Sequence, residues 1–375
     1  MAHTYVILGN PANRRVQLFQ EACRRQDAPT RVVRWSDFLT DGTTLACNAG
    51  EVLRIESPGE DDAVERLLLR RGLLVAEDEH GAASVVDEDV LREPLPHGAI
   101  VGPRQWFRGF RDALHEVDRN WSGPFMNAPP AILQAFDKSS CQRLLAEAGV
   151  PVPTVLGIPT DFDDVVERLT SQSISSAFLK LRTSSSSSGV VALRVRRRRG
   201  ELNVVATSSA HWDGTTFRNR LHQGRTEDLD DIRRLVDFVC REGAVLERWV
   251  PKASLDGGVC DVRVVVVGGE ATHVVVRQSS TGPMTNLHLG NRRGDLVQFK
   301  ERAGDAHQEL LTAAEEASRT VGLFYAGVDV ALTTSFSRPH VFEVNAMGDL
   351  LPGLVDENND DTYGAQVRHY SLMAM

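Results

Sequence analysis

Two sets of residues in this chain have types and spacing that could do chemistry together. In the run HVFEVN, Glu343 and Asn345 stand two apart, so on a strand both side chains face the same way. Phe342 and Val344 would face the other way and pack on the core. Asp329 lies between Val328 and Val330 in the preceding run GVDVAL, and it joins the same patch if the two runs pair as a hairpin. Three hard oxygen ligands suit Mg2+ held partly by substrate phosphates. The same spacing also fits a surface hairpin with its polar residues outward.

The second set is the serine tract Ser184 to Ser188, followed by Gly189. By composition such a tract reads as a flexible linker. Its flanks, AFLKLR and GVVALRV, have strand length and strand-like apolar content, which makes it the tip of a hairpin. A small hairpin tip offers successive backbone N–H groups and hydroxyls to a phosphate chain. Lys180, just upstream, would add positive charge against the same phosphates, or else be an ordinary solvated strand lysine.

The elements that must position these residues come next. At 375 residues the chain is long enough for two or three domains. Its 42% apolar and 25% charged residues are those of a globular protein. A net charge of −9 argues against non-specific binding to nucleic acid or an anionic membrane. The five scattered cysteines form no CxxC pair and read as reduced thiols of a cytoplasmic protein. No signal peptide and no membrane helix is read.

The opening reads strand, turn, helix, strand: TYVILG, then a stripe of Val16, Phe19, Ala22 and Cys23, then TRVVRW. This begins an α/β unit, placed at 1–130, with no GxGxxG to make it a dinucleotide site. A helix capped by Asp137 carries Cys141, Leu144, Leu145 and Ala148 on one face and stops at Gly149. Three β-rich runs, AVLERWV, CDVRVVVVGG and ATHVVVRQSS, precede a helix with Leu310, Ala314, Ala317 and Val321 and the two final strands.

Other motifs carry less. The basic run RVRRRRG, Arg194 to Gly200, reads as a solvated turn or an inter-domain contact, since it has no interleaved aromatics. His211, His222 and His288 lack metal-ligand spacing, and no GxSxG elbow is present. Arg54, Glu56 and Ser57 read as a strand-to-loop exit, with substrate contact as the sharper alternative.

In this order, DKSSCQRLLAEAGVPVP, AFLKLRTSSSSSGVV, AVLERWVPK, CDVRVVVVGGE, TNLHLGNRRGD and AGVDVAL…HVFEVNAMGDLLPGL resemble the ATP-grasp superfamily, most closely its RimK-like carboxylate–amine ligases. The resemblance spans about residues 125–355. It implies an α/β (α+β grasp) fold: an N-terminal Rossmann-like pre-ATP-grasp domain (1–130), a central lobe with the serine-rich flap (131–245) and a C-terminal lobe with metal-binding strands (246–375). Lys138 and Lys180 match lysines that contact nucleotide phosphates, and the loop with Ser186, Ser187, Ser188 and Gly189 matches the flap over them. Glu247, with the backbone around Trp249 and Val250, matches the hinge for adenine and ribose. Asp329, Glu343 and Asn345 match Mg2+ ligands. Arg263 and Arg277 match residues facing the transferred or acyl phosphate, and Asn286 falls where that intermediate is positioned.

What the resemblance implies is an ADP-forming ligase that uses ATP and Mg2+, with Mn2+ as a substitute, to join a carboxylate to an amine through an acyl phosphate. Its partners are a small-molecule or peptide carboxylate and an amine acceptor, with no nucleic acid or membrane and a homodimer by base rate. A kinase that stops at phosphoryl transfer and a non-catalytic nucleotide-binding scaffold are the alternatives.

Overall fold

The computed structural model describes residues 3–41, 45–75, 85–184, 188–199 and 201–373. The N-terminal unit alternates strand and helix: β1 (Thr4–Gly9), α1 (Arg14–Arg25), β2 (Thr30–Arg34), α2 (Trp35–Asp41), β3 (Glu51–Ile55), α3 (Asp62–Leu74) and α4 (Pro103–Asn120). The strands pair in parallel in the order β2-β1-β3. Val16, Phe19, Ala22 and Cys23 of α1 are all buried, so its apolar stripe seats the helix on the sheet. Asn13 caps α1 and Asp61 caps α3 through backbone N–H groups of the first turn. Helices α3 and α4 touch backbone to backbone at Gly109, where a Cβ would stand 1.9 Å from the Leu68 oxygen.

Two helices, α5 (Pro129–Phe136) and α6 (Lys138–Glu147), lead into the middle lobe. Asp137 caps α6 by accepting from the Ser140 N–H, and Gly149, at φ +81°, ends the segment as its composition predicts. The middle lobe comprises β4 (Val155–Gly157), α7 (Phe162–Ser171), β5 (Ser176–Leu181), β6 (Val191–Arg198), β7 (Glu201–Trp212), β8 (Phe217–Thr226), α8 (Leu229–Arg241) and β9 (Ala244–Arg248). Its sheet runs β4-β9-β5-β6-β7-β8. Strand β9 pairs with β4 and β5 along its length, so it belongs wholly to this sheet although the 245/246 division drawn from the sequence cuts it.

The C-terminal lobe holds β10 (Ser254–Leu255), β11 (Gly258–Val267), β12 (Glu270–Ser279), β13 (Arg292–Arg293), α9 (Leu296–Ala303), α10 (Ala306–Val321), β14 (Tyr325–Leu332), β15 (Pro339–Asn345) and α11 (Thr362–Met373). Its sheet order is β13-β12-β11-β14-β15. One apolar core joins the N-terminal unit, α5, α6 and this sheet, including Phe110, Cys141, Val264, Leu310 and Val328. The middle lobe has its own core, with Phe162, Leu179, Val236 and Leu246. The molecule is therefore two packed bodies, and the cleft between them is where polar chemistry is free of the core.

The chain after β15 is tied back to the N-terminal sheet by charge. Arg54 of β3 is fully buried, with its guanidinium 2.6 Å from Glu56 and 2.8 Å from Asp349, and bonded to Gln366 of α11. It lies 4.2 Å from the Phe19 ring centroid and 4.3 Å from that of Tyr325. Arg54 and Glu56 are thus structural, while Arg15 adds a bond of 2.8 Å to the Met347 oxygen. Among the described residues no helix is long and apolar enough to cross a membrane.

Candidate active site

The cleft between the two bodies is lined by Lys138, Phe178, Lys180, Ser184, Lys252, Asp261, Arg277, Thr285, Asn286, Asp329, Phe342 and Glu343 among others. Six residues singled out from the sequence meet there: Lys138, Lys180, Arg277, Asn286, Asp329 and Glu343. Arg263 and Asn345 are not among its lining residues: Arg263 bonds Asp329 from the neighbouring strand, Asn345 stands two residues from Glu343 on β15, and Glu247 reaches the cleft through Lys180. Trp249 and Val250 line a neighbouring cavity. Ser186 and Ser187 lie outside the described residues.

Strand register explains the convergence. In β14–β15, Asp329 is opposite Glu343 and Gly327 is opposite Asn345, so the hairpin expected from the sequence forms and all three polar side chains share a face. At Gly327 a Cβ would stand 2.2 Å from the Gly348 oxygen, which lets the segment after Asn345 fold back across the strand. Asn345 donates to the Gly327 oxygen at 3.2 Å.

Phe342 departs from simple alternation. A register shift between Asp329 and Val330 inserts it as an extra residue, and a bulge of this kind re-aims a side chain. Phe342 therefore lines the cleft instead of packing on the core beside Val344. Its ring centroid lies 5.2 Å from Lys252 Nζ and 5.9 Å from Lys180 Nζ.

Across the C-terminal sheet the same face carries charged residues in register. Arg277 of β12 is opposite Asp261 of β11, Arg263 of β11 is opposite Asp329 of β14, and Asp329 is opposite Glu343. Arg277 Nε bonds Asp261 Oδ1 at 2.8 Å, and its Nη2 lies 3.1 Å from Asp329 Oδ1. Arg263 grips Asp329 through Nε and, at 3.0 Å, through Nη2. Its Nη1 donates to the Gly348 oxygen at 3.0 Å.

Lys252 and Asp261 are site residues that motif reading missed. Lys252 Nζ lies 2.8 Å from Asp261 Oδ2 and 3.0 Å from Thr285 Oγ1, and Thr285 also donates to Asp261. The signal was present in CDVRV, where Asp261 stands two residues before Arg263 on one strand face, but only the pairing with β12 gives it its cations. Burial pushes the Asp261 carboxyl up, yet Arg277 and Lys252 outweigh that and hold it below the usual carboxylate range. Asp329 behaves alike: burial raises it, and Arg263 and Arg277 bring it down.

On the opposite wall, Lys180 Nζ donates to Glu247 Oε2 at 2.6 Å. Glu247 is buried, and this desolvation raises its pKa, offset in part by Lys180; among the described residues its Oε1 has no hydrogen-bond partner. Lys138, at the start of α6, lies 3.0 Å from Glu343 Oε1 and bonds the Ser184 oxygen at the base of the serine loop. Beyond that loop, Ser188 Oγ accepts from Asn219 at 3.0 Å, and Gly189 has φ +64°. The 283–286 segment is held by Gln223 of β8, whose side-chain amide pairs with both backbone groups of Met284, at 2.6 Å and 3.0 Å.

The donor set of Asp329, Glu343 and Asn345 is all oxygen, which fits a hard divalent cation. Each carboxylate is presently matched by a cationic side chain, Lys138 on Glu343 and Arg263 with Arg277 on Asp329. Positive charge delivered there, or phosphates drawing the lysines and arginines away, would leave these oxygens open for the ion.

Residues 227–353 match the family model of the RimK-like ATP-grasp domain. The chain is 27% identical over 279 residues to the ribosomal protein bS6–L-glutamate ligase of Escherichia coli O7:K1, covering 73% of this chain and 77% of that one. Among solved structures it resembles the ATP-grasp ligase PsnB complexed with a phosphomimetic variant of its minimal precursor, Mg and ADP, at TM-score 0.53 and 16% identity over the whole of both chains. It also resembles macrocyclase MdnC of Microcystis aeruginosa MRC bound with precursor peptide MdnA, at TM-score 0.55 and 11% identity, again over the whole of both chains. Residues 227–353 thus match a RimK-like ATP-grasp domain, and with the two-bodied architecture and the charged cleft these matches support an enzyme of the RimK-like ATP-grasp branch.

Proposed function

We propose that this enzyme joins a carboxylate to an amine at the expense of ATP, through an acyl phosphate, on an amino acid or peptide. The observation that carries the reading is the meeting of Lys138, Lys180, Arg277, Asp329 and Glu343 in one cleft between two separately packed bodies. A triphosphate needs such a concentration of cations, and phosphoryl transfer is catalysed mainly by positioning and electrostatics.

In this reading the part at 1–130 supplies the acceptor side, that at 131–245 the flap, and that at 246–375 the hinge and the metal-binding strands. Lys138 and Lys180 bind the phosphates, with the flap of Ser186, Ser187, Ser188 and Gly189 above them. Glu247 keeps Oε1 open to accept an N–H from the base, with Trp249 and Val250 beside it. Asp329, Glu343 and Asn345 would hold Mg2+, which when bound neutralises phosphate charge and acts as a Lewis acid. The free space in the cleft is about 90 Å3.

The substrate carboxylate oxygen bonds to the γ-phosphorus while the bond to the bridging oxygen breaks and ADP leaves. Arg263 and Arg277 balance the charge on the transferred group, and Asn286 positions it. The amine nitrogen then attacks the acyl carbon, phosphate leaves with the bonding pair, and the nitrogen loses a proton to give the amide. Incubation with ATP, Mg2+ and amino-acid or peptide mixtures should release ADP and phosphate only when both carboxylate and amine are present, with an amide product. ATP binding without ADP formation from any pair would defeat this reading.

A further inference from the structure

A second cavity of about 760 Å3, lined in part by Trp249, neighbours the charged cleft. On the middle sheet, Ser176 and Arg194 are a cross-strand pair on the same face as Phe178 and Lys180, so both cavities lie along one sheet face. Trp249 divides them: its ring is 4.8 Å from that of Phe178 and 5.0 Å from Arg194 Cζ. The outer cavity is walled by Arg194, Arg248 at the end of β9, and Arg338 and His340 at the start of β15. No aspartate or glutamate is among its described lining residues, and the three arginines are exposed. His340 Nδ1 is buried there without a hydrogen-bond partner among the described residues. Arg196, two residues beyond Arg194 on the same strand face, is exposed too, so the basic run of the sequence leads out of this cavity.

We propose that this outer cavity is a docking site for an acidic peptide segment, separate from the reacting groups. In a protein of net charge −9, a recess lined by one sign of charge focuses its field and draws in the opposite sign. The phosphates of a nucleotide belong with Lys138 and Lys180 in the neighbouring cleft, so these arginines serve a different anion. Arginine forks match carboxylates, and the volume admits several residues of chain. The overall negative charge and the single aromatic ring, already stacked on Arg194, favour a carboxylate-bearing peptide over a nucleic acid. The site extends the ligase reading by naming how a peptide substrate is held, and its test reads binding without turnover, so the two stand or fall separately.

The experiment is fluorescence anisotropy with a fluorescein-labelled hexaglutamate peptide, compared with hexaglutamine, hexalysine and an oligothymidylate of equal charge. Hexaglutamate should bind most tightly, and the double variant Arg194→Ala/Arg338→Ala should bind it about tenfold more weakly. The variant should keep its ATP affinity within about twofold, which also shows that it is folded. Equal binding of hexaglutamine, unchanged hexaglutamate binding by the variant, displacement of the peptide by ATP, or tighter binding of the oligothymidylate would each overturn the proposal.

Discussion

Asp329 and Glu343 face each other directly across the last hairpin, two carboxylates side by side that are kept apart electrostatically by different cations. Lys138 from the helix that leads into the middle lobe takes Glu343, while Arg263 and Arg277 from the neighbouring strands take Asp329. Like charges directly opposite on a sheet are destabilising unless something compensates them. The compensation here comes from outside the hairpin, which makes the carboxylates responsive to whatever recruits those cations. Glu343→Ala is expected to lower kcat by at least about a hundredfold and to weaken Mg2+-dependent ATP binding. ADP release and ATP titration with and without Mg2+ check this, and unchanged turnover would remove Glu343 from the site.

Asp261 is the anion shared by Lys252 and Arg277. Asp261→Asn leaves two enclosed cations without their counter-charge and is expected to cost about 3–5 kcal/mol of stability, read from denaturant unfolding. The folded pKa of Asp261 is depressed, so its contribution is present at neutral pH and is lost as pH falls through the carboxylate range. The gap between wild type and variant should therefore narrow on acidification. A gap that stays constant with pH would mean that the effect is steric.

Gln223 acts as a strap from the middle lobe onto the loop that carries Asn286. Between its pairings with Ser208 and Ala210, β8 bulges, and the bulge brings Gln223 to Met284 and Ser279. Gln223→Ala removes hydrogen bonds worth about 1 kcal/mol each. Faster hydrogen exchange at the Met284 amide and a roughly tenfold lower kcat are expected, with the global unfolding midpoint almost unchanged. Unaltered exchange at that amide would show that the loop holds itself.

Glu65 of α3 is a pH-dependent liability. Burial, with Asp62 nearby, pushes its pKa up to about 7. A carboxyl raised in the folded state binds more protons there than in the unfolded chain, so its share of stability falls as pH rises from about 4 to 7. Glu65→Gln is expected to stabilise the protein by up to about 3 kcal/mol at pH 8 and to have little effect at pH 4. Thermal unfolding at the two pH values checks the sign, and a larger gain at the lower pH would refute it.

Local pattern was legible in the sequence wherever one element decided it. The stripe of α1, the Asp137 cap and Gly149 stop of α6, and the two-residue spacing of Glu343 and Asn345 all follow from single-segment periodicity. Phe342 was misread because a bulge is a relation between two strands. Lys252 and Asp261 went unseen because their pairing spans separate strands and loops. Arg54 looked like an ordinary strand exit, since nothing near it in the chain announces Asp349 and Gln366 some 300 positions on.

By itself, then, the sequence determined the order of the elements, the acidic balance and the presence of the oxygen-bearing side chains of the last hairpin, because those properties are local or additive. Tertiary structure alone decided which charges meet. Only β-pairing in one register sets Arg277 against Asp261 and Arg263 against Asp329, and only the packing of α6 against the C-terminal sheet brings Lys138 to Glu343. Coulomb energy depends on distance and burial, not on position along the chain, and both are properties of the folded molecule.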